Sequence, residues 1–492
     1  MKLYLKGHGY QYAVEQMLLT LFPGQRPEYP HRPPEAGEDS LHLSLSLGKR
    51  WATAHAALVW QGERYTALAR VPTPAPDAGR VERDRVLQRV IKHAFYRAGT
   101  RALGYEPPWG ALTGVRPVKL PTRALTEGLT PRQADRMLWE RYRVSAPRRE
   151  LAMDCAKATL AVRQTLAPEE VSLYIGIPFC PTRCAYCSFV SADVGKTLPL
   201  MEPYLEALCR EVDATGAALK RAGRRVKSVY MGGGTPTTLT AQQMDRLMGH
   251  IERAFDLKDC VEYTVEAGRP DTITAEKLSV IRRHGAQRVS VNPQSMDDKV
   301  LAAIGRAHSA QDTLAAWDLV RQTGFRYANM DLIAGLPADT PEGFRASLDQ
   351  VLSLAPENIT VHTLALKKGS KLTLEKNGTL PSPQQVSAML DYAWQTLRAA
   401  GYIPYYLYRQ KYMSGGFENV GWCRPGAESI YNICMMEELH TILSLGSGGV
   451  TKVIDTHAGS LVRLANPKYP KEYIETVDKI IRAKEDLTWP IS

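Results

Sequence analysis

A chain of 492 residues, 44% apolar and 23% charged, is too long for one average domain and too apolar to be disordered. With 37 glycines and 32 prolines it is not collagen-like, and no uncharged apolar run is long enough to span a bilayer. The formal charge of +11 is uneven, since residues 1–150 hold 24 Lys and Arg against 14 Asp and Glu and the other 342 hold 38 against 37.

In chain order, Met1–Lys6 leads into Gly, His and Tyr rather than an apolar stretch, so no signal peptide is expected and the chain is expected in the cytoplasm. Lys2–Lys6 reads as a strand and Tyr12–Phe22 as a helix. Leu41–Leu47, Trp51–Trp60 and Tyr65–Val71 alternate as a small antiparallel sheet. The run Pro72-Thr-Pro-Ala-Pro76 is a stiff break before a helix near 80–98, and residues 130–165 are helical and arginine-rich. Residues 1–165 are therefore expected to form a basic α+β accessory domain. Its charge suits nucleic acid or an acidic small molecule, and equally a solvated helical surface.

From Val171 the pattern changes. Strand-like runs at Val171–Ile177, Val226–Met231, Val261–Val265, Arg288–Val291, Tyr327–Ile333 and Asn358–Leu364 are separated by amphipathic stretches near 201–222, 241–255, 275–284, 310–323 and 342–354. Six strands alternating with helices predict a parallel sheet with right-handed crossovers, an open (βα)6 partial barrel over 166–375 in an α/β chain. Residues 376–492 are expected to pack on it as a C-terminal extension, with a helix near 383–400. Tyr402, Tyr405, Tyr406, Tyr408 and Tyr412 follow and read as a core or interface face.

Eight cysteines fall at 155, 180, 184, 187, 209, 260, 423 and 434. Five are scattered and read as small buried hydrophobes. Cys180, Cys184 and Cys187 are crowded into Cys180-Pro-Thr-Arg-Cys184-Ala-Tyr-Cys187, directly after the first barrel strand. Structural zinc takes four closed ligands, and no fourth Cys or His is near. A [4Fe–4S] cluster takes four, so three leave one iron open to an amine and a carboxylate, which S-adenosylmethionine offers.

Other polar or glycine-rich features stand at the ends of the remaining strands, where parallel βα sites gather. Gly232-Gly233-Gly234-Thr235-Pro236 follows strand two and lets backbone come close to a ligand. Strand three ends at Glu266, strand four runs into Asn292 and Gln294, strand five carries Asp331, and strand six carries His362 and Thr363. Five polar strand ends are costly without partners, which argues for a ligand.

The three-cysteine loop and the GlyGlyGlyThrPro turn resemble the radical S-adenosylmethionine superfamily. Tyr174-Ile-Gly-Ile-Pro-Phe-Cys180, Asn292-Pro-Gln294 and Asp331-Leu-Ile-Ala-Gly-Leu-Pro337 are similar to its oxygen-independent coproporphyrinogen III oxidase (dehydrogenase) family. The front stretch Trp109-Gly-Ala-Leu-Thr-Gly-Val-Arg-Pro-Val-Lys119 resembles the longer, HemZ-type members. The resemblance implies that Cys180, Cys184 and Cys187 hold a [4Fe–4S] cluster. It implies that Tyr174, Tyr186, the Gly232–Gly234 backbone, Thr235 and Glu266 line S-adenosylmethionine, Glu266 at a ribose hydroxyl. Gln294, Arg306, Asp331 and Ala365 match positions that contact a second S-adenosylmethionine.

The implied reaction removes hydrogen and carbon dioxide from porphyrinogen propionates to leave vinyl groups. Arg306 and the pair Lys367-Lys368 are candidates to meet carboxylates, although for the lysines a solvated loop is the first reading. The implied partners are a tetrapyrrole and an electron donor such as flavodoxin or ferredoxin; nucleic acid and a membrane span are not expected. One residue departs from the pattern. Porphyrinogen-oxidising members carry a further cysteine two residues after the third, where this chain has Phe189; the heme-chaperone branch also has an aromatic there. A heme carrier of the same family is therefore one alternative, and an RNA-modifying radical enzyme tethered by the basic front domain is another.

Overall fold

The computed structural model describes the chain except for residues 33, 34, 36, 188–191, 367–369, 371, 373–379, 411–413, 456–459, 488 and 490–492. It divides into two units, Met1–Met153 with Tyr408–Glu418, and Asp154–Leu407 with Asn419–Ser492.

In the first unit, alternating leucine and alanine build a four-stranded sheet from β1 (Lys2–Lys6), β2 (Ser40–Leu47), β3 (Trp51–Trp60) and β4 (Glu63–Pro72). The last three are antiparallel as expected, and β1 joins β2 in parallel. Leu41, Leu43 and Leu45 of β2 and Ala52, Ala54, Ala56 and Leu58 of β3 share one buried face. Helix α1 (Gln11–Leu21) covers it with Val14, Met17, Leu18 and Leu21, spaced on one helical stripe. Helix α2 (Arg80–Leu103) covers the rest, approaching α1 so closely that a Cβ at Gly99 would stand 2.7 Å from a Leu21 methyl. Helices α3 (Lys119–Thr126) and α4 (Pro131–Tyr142) follow, and α5 (Ala146–Gln164) leads into the second unit.

The Trp109 stretch has a structural task in this unit. The Trp109 indole, 1% exposed, donates to Glu418 Oε2 at 2.6 Å, and Arg148 reaches Glu418 Oε1 at 2.8 Å. Arg409 donates to the Leu112 carbonyl and its guanidinium lies over the Trp109 ring. Gly110 holds φ +54, and a Cβ there would meet the Tyr142 carbonyl oxygen at 2.2 Å.

The second unit is built on six parallel strands in sequential order: β5 (Glu170–Ile177), β6 (Arg225–Gly233), β7 (Glu262–Gly268), β8 (Arg288–Val291), β9 (Tyr327–Ala334) and β10 (Asn358–Thr363). Crossover helices α6 (Met201–Arg221), α7 (Ala241–Ala254), α8 (Ala275–Arg283), α9 (Asp298–Ala303), α10 (Ala310–Thr323) and α11 (Pro341–Ser353) connect them. Thr240 with Gln243 and Ser309 with Asp312 close capping boxes that fix where α7 and α10 begin. This is the expected (βα)6 partial barrel.

The extension does more than lie against it. After α12 (Pro383–Ala399), β11 (Ile403–Arg409) and β12 (Glu418–Cys423) add to one edge, β12 running antiparallel to β10. Helix α13 (Ile430–Glu437) then leads to β13 (Ile442–Leu445), which pairs in parallel with β5 at the other edge. Strands β14 (Val450–Asp455) and β15 (Ser460–Ala465) continue outward, completing an eleven-stranded sheet among the described residues. Tyr402, Tyr405 and Tyr406 are buried, as a core face requires. The last helix, α14 (Pro470–Glu485), brings Tyr473 and Lys484 onto fully buried Glu211 of α6. Among the described residues no helix is long and apolar enough to cross a membrane.

Candidate functional site

The carboxyl ends of β5 to β10 converge on one mouth, and the three-cysteine loop enters it from β5. That loop is clipped on both sides. Phe179–Cys180 pairs in parallel with Ala192–Asp193, and Ala185 N–H donates to the Ile304 carbonyl at 2.9 Å. Cys184 is buried, Cys180 and Cys187 half-buried. Cys180 Sγ lies 3.5 Å from Thr235 Oγ1. The Tyr186 ring packs against Val300, Leu301, Ile304, Ile333, Leu336 and Leu364, and its hydroxyl accepts from Arg306 at 3.1 Å.

The glycine turn after β6 is stitched to the same loop. Gly234 N–H donates to the Ile177 carbonyl at 2.7 Å and Thr235 N–H to the Phe179 carbonyl at 2.8 Å. A Cβ at Gly234 would stand 2.5 Å from the Phe179 oxygen, and one at Gly232 would stand 2.7 Å from Glu266 Oε2. Gly233 holds φ +115, which L side chains rarely adopt. The approach that needs glycine here is therefore to neighbouring chain and to Glu266.

Glu266 is half-buried at the end of β7 and accepts from the Tyr230 hydroxyl. Burial pushes its carboxyl up to about 7, against the Tyr230 hydrogen bond, and the Asp331 charge adds to the rise. Tyr230 belongs to a stack: its ring is 4.5 Å from Tyr431 of α13, and Tyr174 lies 6.4 Å from each. Burial works to raise Asp331, yet His362, 3.6 Å away, and the Asn329 amide, at 2.7 Å, hold its carboxyl below the usual range.

Gln294 sits at φ +71, uncommon for a side-chain-bearing residue, with its N–H on the Asp331 carbonyl at 2.9 Å. Its side-chain oxygen, those of Ser290 and Asn292, and two Arg306 nitrogens are buried without a partner among the described residues. Ala365 follows β10, half-buried. The strand ends thus bring together Tyr174, Tyr186, the glycine turn, Thr235, Glu266, Gln294, Arg306 and Asp331. Phe189, Lys367, Lys368 and Tyr412 lie outside the described residues.

Three residues at this mouth are absent from the sequence reading. Tyr230 stands two positions before Gly232 on β6, so strand alternation puts both on one face and could have pointed to it. Tyr431 comes from the extension, with no local signal. Arg269, 3% exposed, binds Asp271 at 3.0 Å and Thr182 at 2.9 Å, with Nη1 3.9 Å from Cys184 Sγ.

A separate cavity of about 340 Å³ opens at the amino ends of the strands, lined in part by Glu262, Gln287, Arg288 and Tyr327. Its charged groups are engaged within the chain. Glu262 accepts from Ser429 Oγ and Ile430 N–H, each at 2.6 Å, and Arg288 donates to the Ala427 carbonyl at 3.0 Å. Arg288 Nε has no hydrogen-bond partner there among the described residues and lies 3.7 Å from Glu262 Oε1.

Residues 174–351 match the radical SAM superfamily. The chain is 41% identical over 446 residues to the oxygen-independent coproporphyrinogen-III oxidase-like protein HemZ of Bacillus subtilis, covering 89% of each. It is 29% identical over 309 residues to the heme chaperone HemW of Haemophilus influenzae, covering 62% of this chain and 76% of that one. Among solved structures, the coproporphyrinogen III oxidase HemN of Escherichia coli, described as a radical SAM enzyme, superposes with a TM-score of 0.52 at 26% identity. That match covers 66% of this chain and 73% of HemN. The identity and coverage shared with HemZ, joined to this fold, show that the chain belongs to the radical S-adenosylmethionine superfamily and, within it, to the oxygen-independent coproporphyrinogen III oxidase-like family.

Proposed function

We propose that the chain is a radical S-adenosylmethionine oxidoreductase that acts on the propionates of a porphyrinogen, as a coproporphyrinogen dehydrogenase does. Membership of the superfamily implies a [4Fe–4S] cluster and S-adenosylmethionine. Among the described residues no three His, Cys, Asp or Glu side chains are drawn into a metal cage. The fit therefore rests on donor chemistry, three thiols within eight residues on a loop pinned at both sides, with no fourth Cys and no His near them in sequence. It rests also on the unpartnered oxygens of Ser290, Asn292 and Gln294, which polar ligand atoms would satisfy.

When bound, the cluster supplies the electron that cleaves the sulfonium of S-adenosylmethionine and starts hydrogen abstraction. The chain would do the rest by position. Cys180, Cys184 and Cys187 would hold three irons, Tyr186 would pack near the adenine, and the Glu266 carboxylate would accept from a ribose hydroxyl. Tyr174 and Tyr230 would exclude water from that side. Gln294, Arg306, Asp331 and Ala365 would line a second S-adenosylmethionine or the substrate's polar edge. An external electron donor, flavodoxin or ferredoxin in kind, would complete the cycle.

The observation that carries this reading is the coincidence of the cysteine loop, glycine turn and polar strand ends with 41% identity to a coproporphyrinogen-III oxidase-like protein over nearly the whole chain. Anaerobic incubation with coproporphyrinogen III, reductant and S-adenosylmethionine should yield protoporphyrinogen. Phe189, and HemW relatives such as that of Haemophilus influenzae, favour a second reading, a heme carrier. Stoichiometric heme binding with no vinyl product would select the carrier and reject the dehydrogenase.

A further inference from the structure

We propose that Arg269 is a positioning residue for the cluster loop, fixing Cys184 and favouring the reduced cluster by presenting a buried cation to its sulfur. The inference rests on the reading of Cys180, Cys184 and Cys187 as cluster ligands.

Arg269 lies just past β7 in Glu266-Ala-Gly-Arg-Pro-Asp271, and Gly268 at φ +61 turns the chain there. Its guanidinium is a planar fork with two working edges. Nε and Nη2 each meet an Asp271 carboxylate oxygen at 3.0 Å, a bidentate pair that sets the plane. Nη1 then points at the cysteine loop, donating to the Thr182 carbonyl at 3.1 Å and hydroxyl at 2.9 Å, and standing 3.9 Å from Cys184 Sγ. A lysine could not make both contacts, because it lacks the fork. At 3.9 Å the sulfur contact acts as charge against thiolate more than as a short hydrogen bond.

The surroundings keep that charge effective. Arg269 is 3% exposed, so solvent screens it little. Arg306 flanks the same loop through the Tyr186 hydroxyl. His308, 4% exposed, is pushed down to about 4 by burial and by Arg306, so it is neutral at pH 7. Arg269 and Arg306 thus set two guanidiniums against Asp271, which binds Arg269 on the edge away from the sulfur, and Arg183, exposed and next to Cys184, adds a further positive charge. Adding an electron makes a cluster more negative, and net charge together with hydrogen bonds to the sulfurs set its potential.

The test is a redox titration of anaerobically reconstituted full-length protein, followed by absorbance and electron paramagnetic resonance without S-adenosylmethionine, with iron counted before and after. Arg269→Gln is expected to lower the reduced-to-oxidised ratio about tenfold at a given potential, about 59 mV for one electron, and to release iron faster. Arg269→Lys should recover most of the potential but not the slow iron release. Asp271→Asn should shift the potential the opposite way, upward. If Arg269→Gln loses its cluster outright, the sign of the Asp271→Asn shift decides. Wild-type potential and iron retention in Arg269→Gln, or shifts of Gln and Asn variants in one direction, overturn the role of Arg269 alone. A wild-type protein that takes up no iron–sulfur cluster overturns the ligand reading and this inference together.

Discussion

Glu266 is a carboxyl whose surroundings resist its charge. With the folded carboxyl at about 7 against an ordinary 4.5, the folded state favours the protonated form. Its contribution to stability is therefore complete below about pH 4.5 and is lost as pH rises through about 7, about 1–3 kcal/mol in all. Urea titrations of ligand-free protein at about pH 5.5 and about pH 8 should show this slope, and Glu266→Gln should flatten it. A ribose hydroxyl needs the carboxylate as acceptor, so S-adenosylmethionine binding should tighten as pH rises through about 7. Glu266→Gln should weaken binding about ten- to a hundredfold and remove that dependence. Equal calorimetric affinity and equal pH profiles in both proteins would reject the placement.

Among elements, strands were the most readable. Trp51–Trp60 and Arg288–Val291 coincide with their expected bounds because turn residues mark both ends, Gly48 and Gly62 around the first and Gly285 and Pro293 around the second. The cysteines, glycines, Glu266, Gln294 and Asp331 were readable as a group because each stands in or just after the later part of a strand. Strand β13 was not, since Ile442–Leu445 has no period of its own and becomes a strand by pairing with β5 on one side and β14 on the other. Tyr431 and Arg269 were missed for a related reason: their partners are distant in sequence or on another loop. The Trp109 stretch resembled a family feature, and the structure gives its physical basis in the buried Glu418. Glu418→Gln should remove the carboxylate that pairs with Arg148, 2% exposed, and destabilise the first unit by about 3–5 kcal/mol. Chemical denaturation should show that loss in the transition that carries Trp109 fluorescence, and an unchanged midpoint would dismiss the ion pair as a stabilising contact.

For the molecule as a whole, the two units interleave in sequence, because Tyr408–Glu418 returns to the first. A chain beginning at Asp154 would keep Phe417 and Glu418, both buried in the intact protein, and Glu418 would lack Trp109 and Arg148. That truncation is expected to aggregate. The same truncation with 408–418 replaced by a short Gly-Ser link should stay soluble and bind iron on reconstitution, since every proposed ligand lies in the second unit. Size-exclusion profiles and iron content read both outcomes. A soluble linked form that binds no iron would mean the first unit is needed to form the cluster site.

The pairing of β13 with β5 also bears on how the protein is made. Ile442 lies beside Ser172, so the strand leading into Cys180 keeps one bare edge while a ribosome adds the intervening chain. Until then the six βα units can stack only from the β6 side, and closing so long a loop is slow. Nascent protein therefore carries its three-cysteine loop on a half-supported strand through most of synthesis. Loading before release would act on an unfinished scaffold, and any message cut short of codon 445 would yield a product whose open edge can pair with other chains.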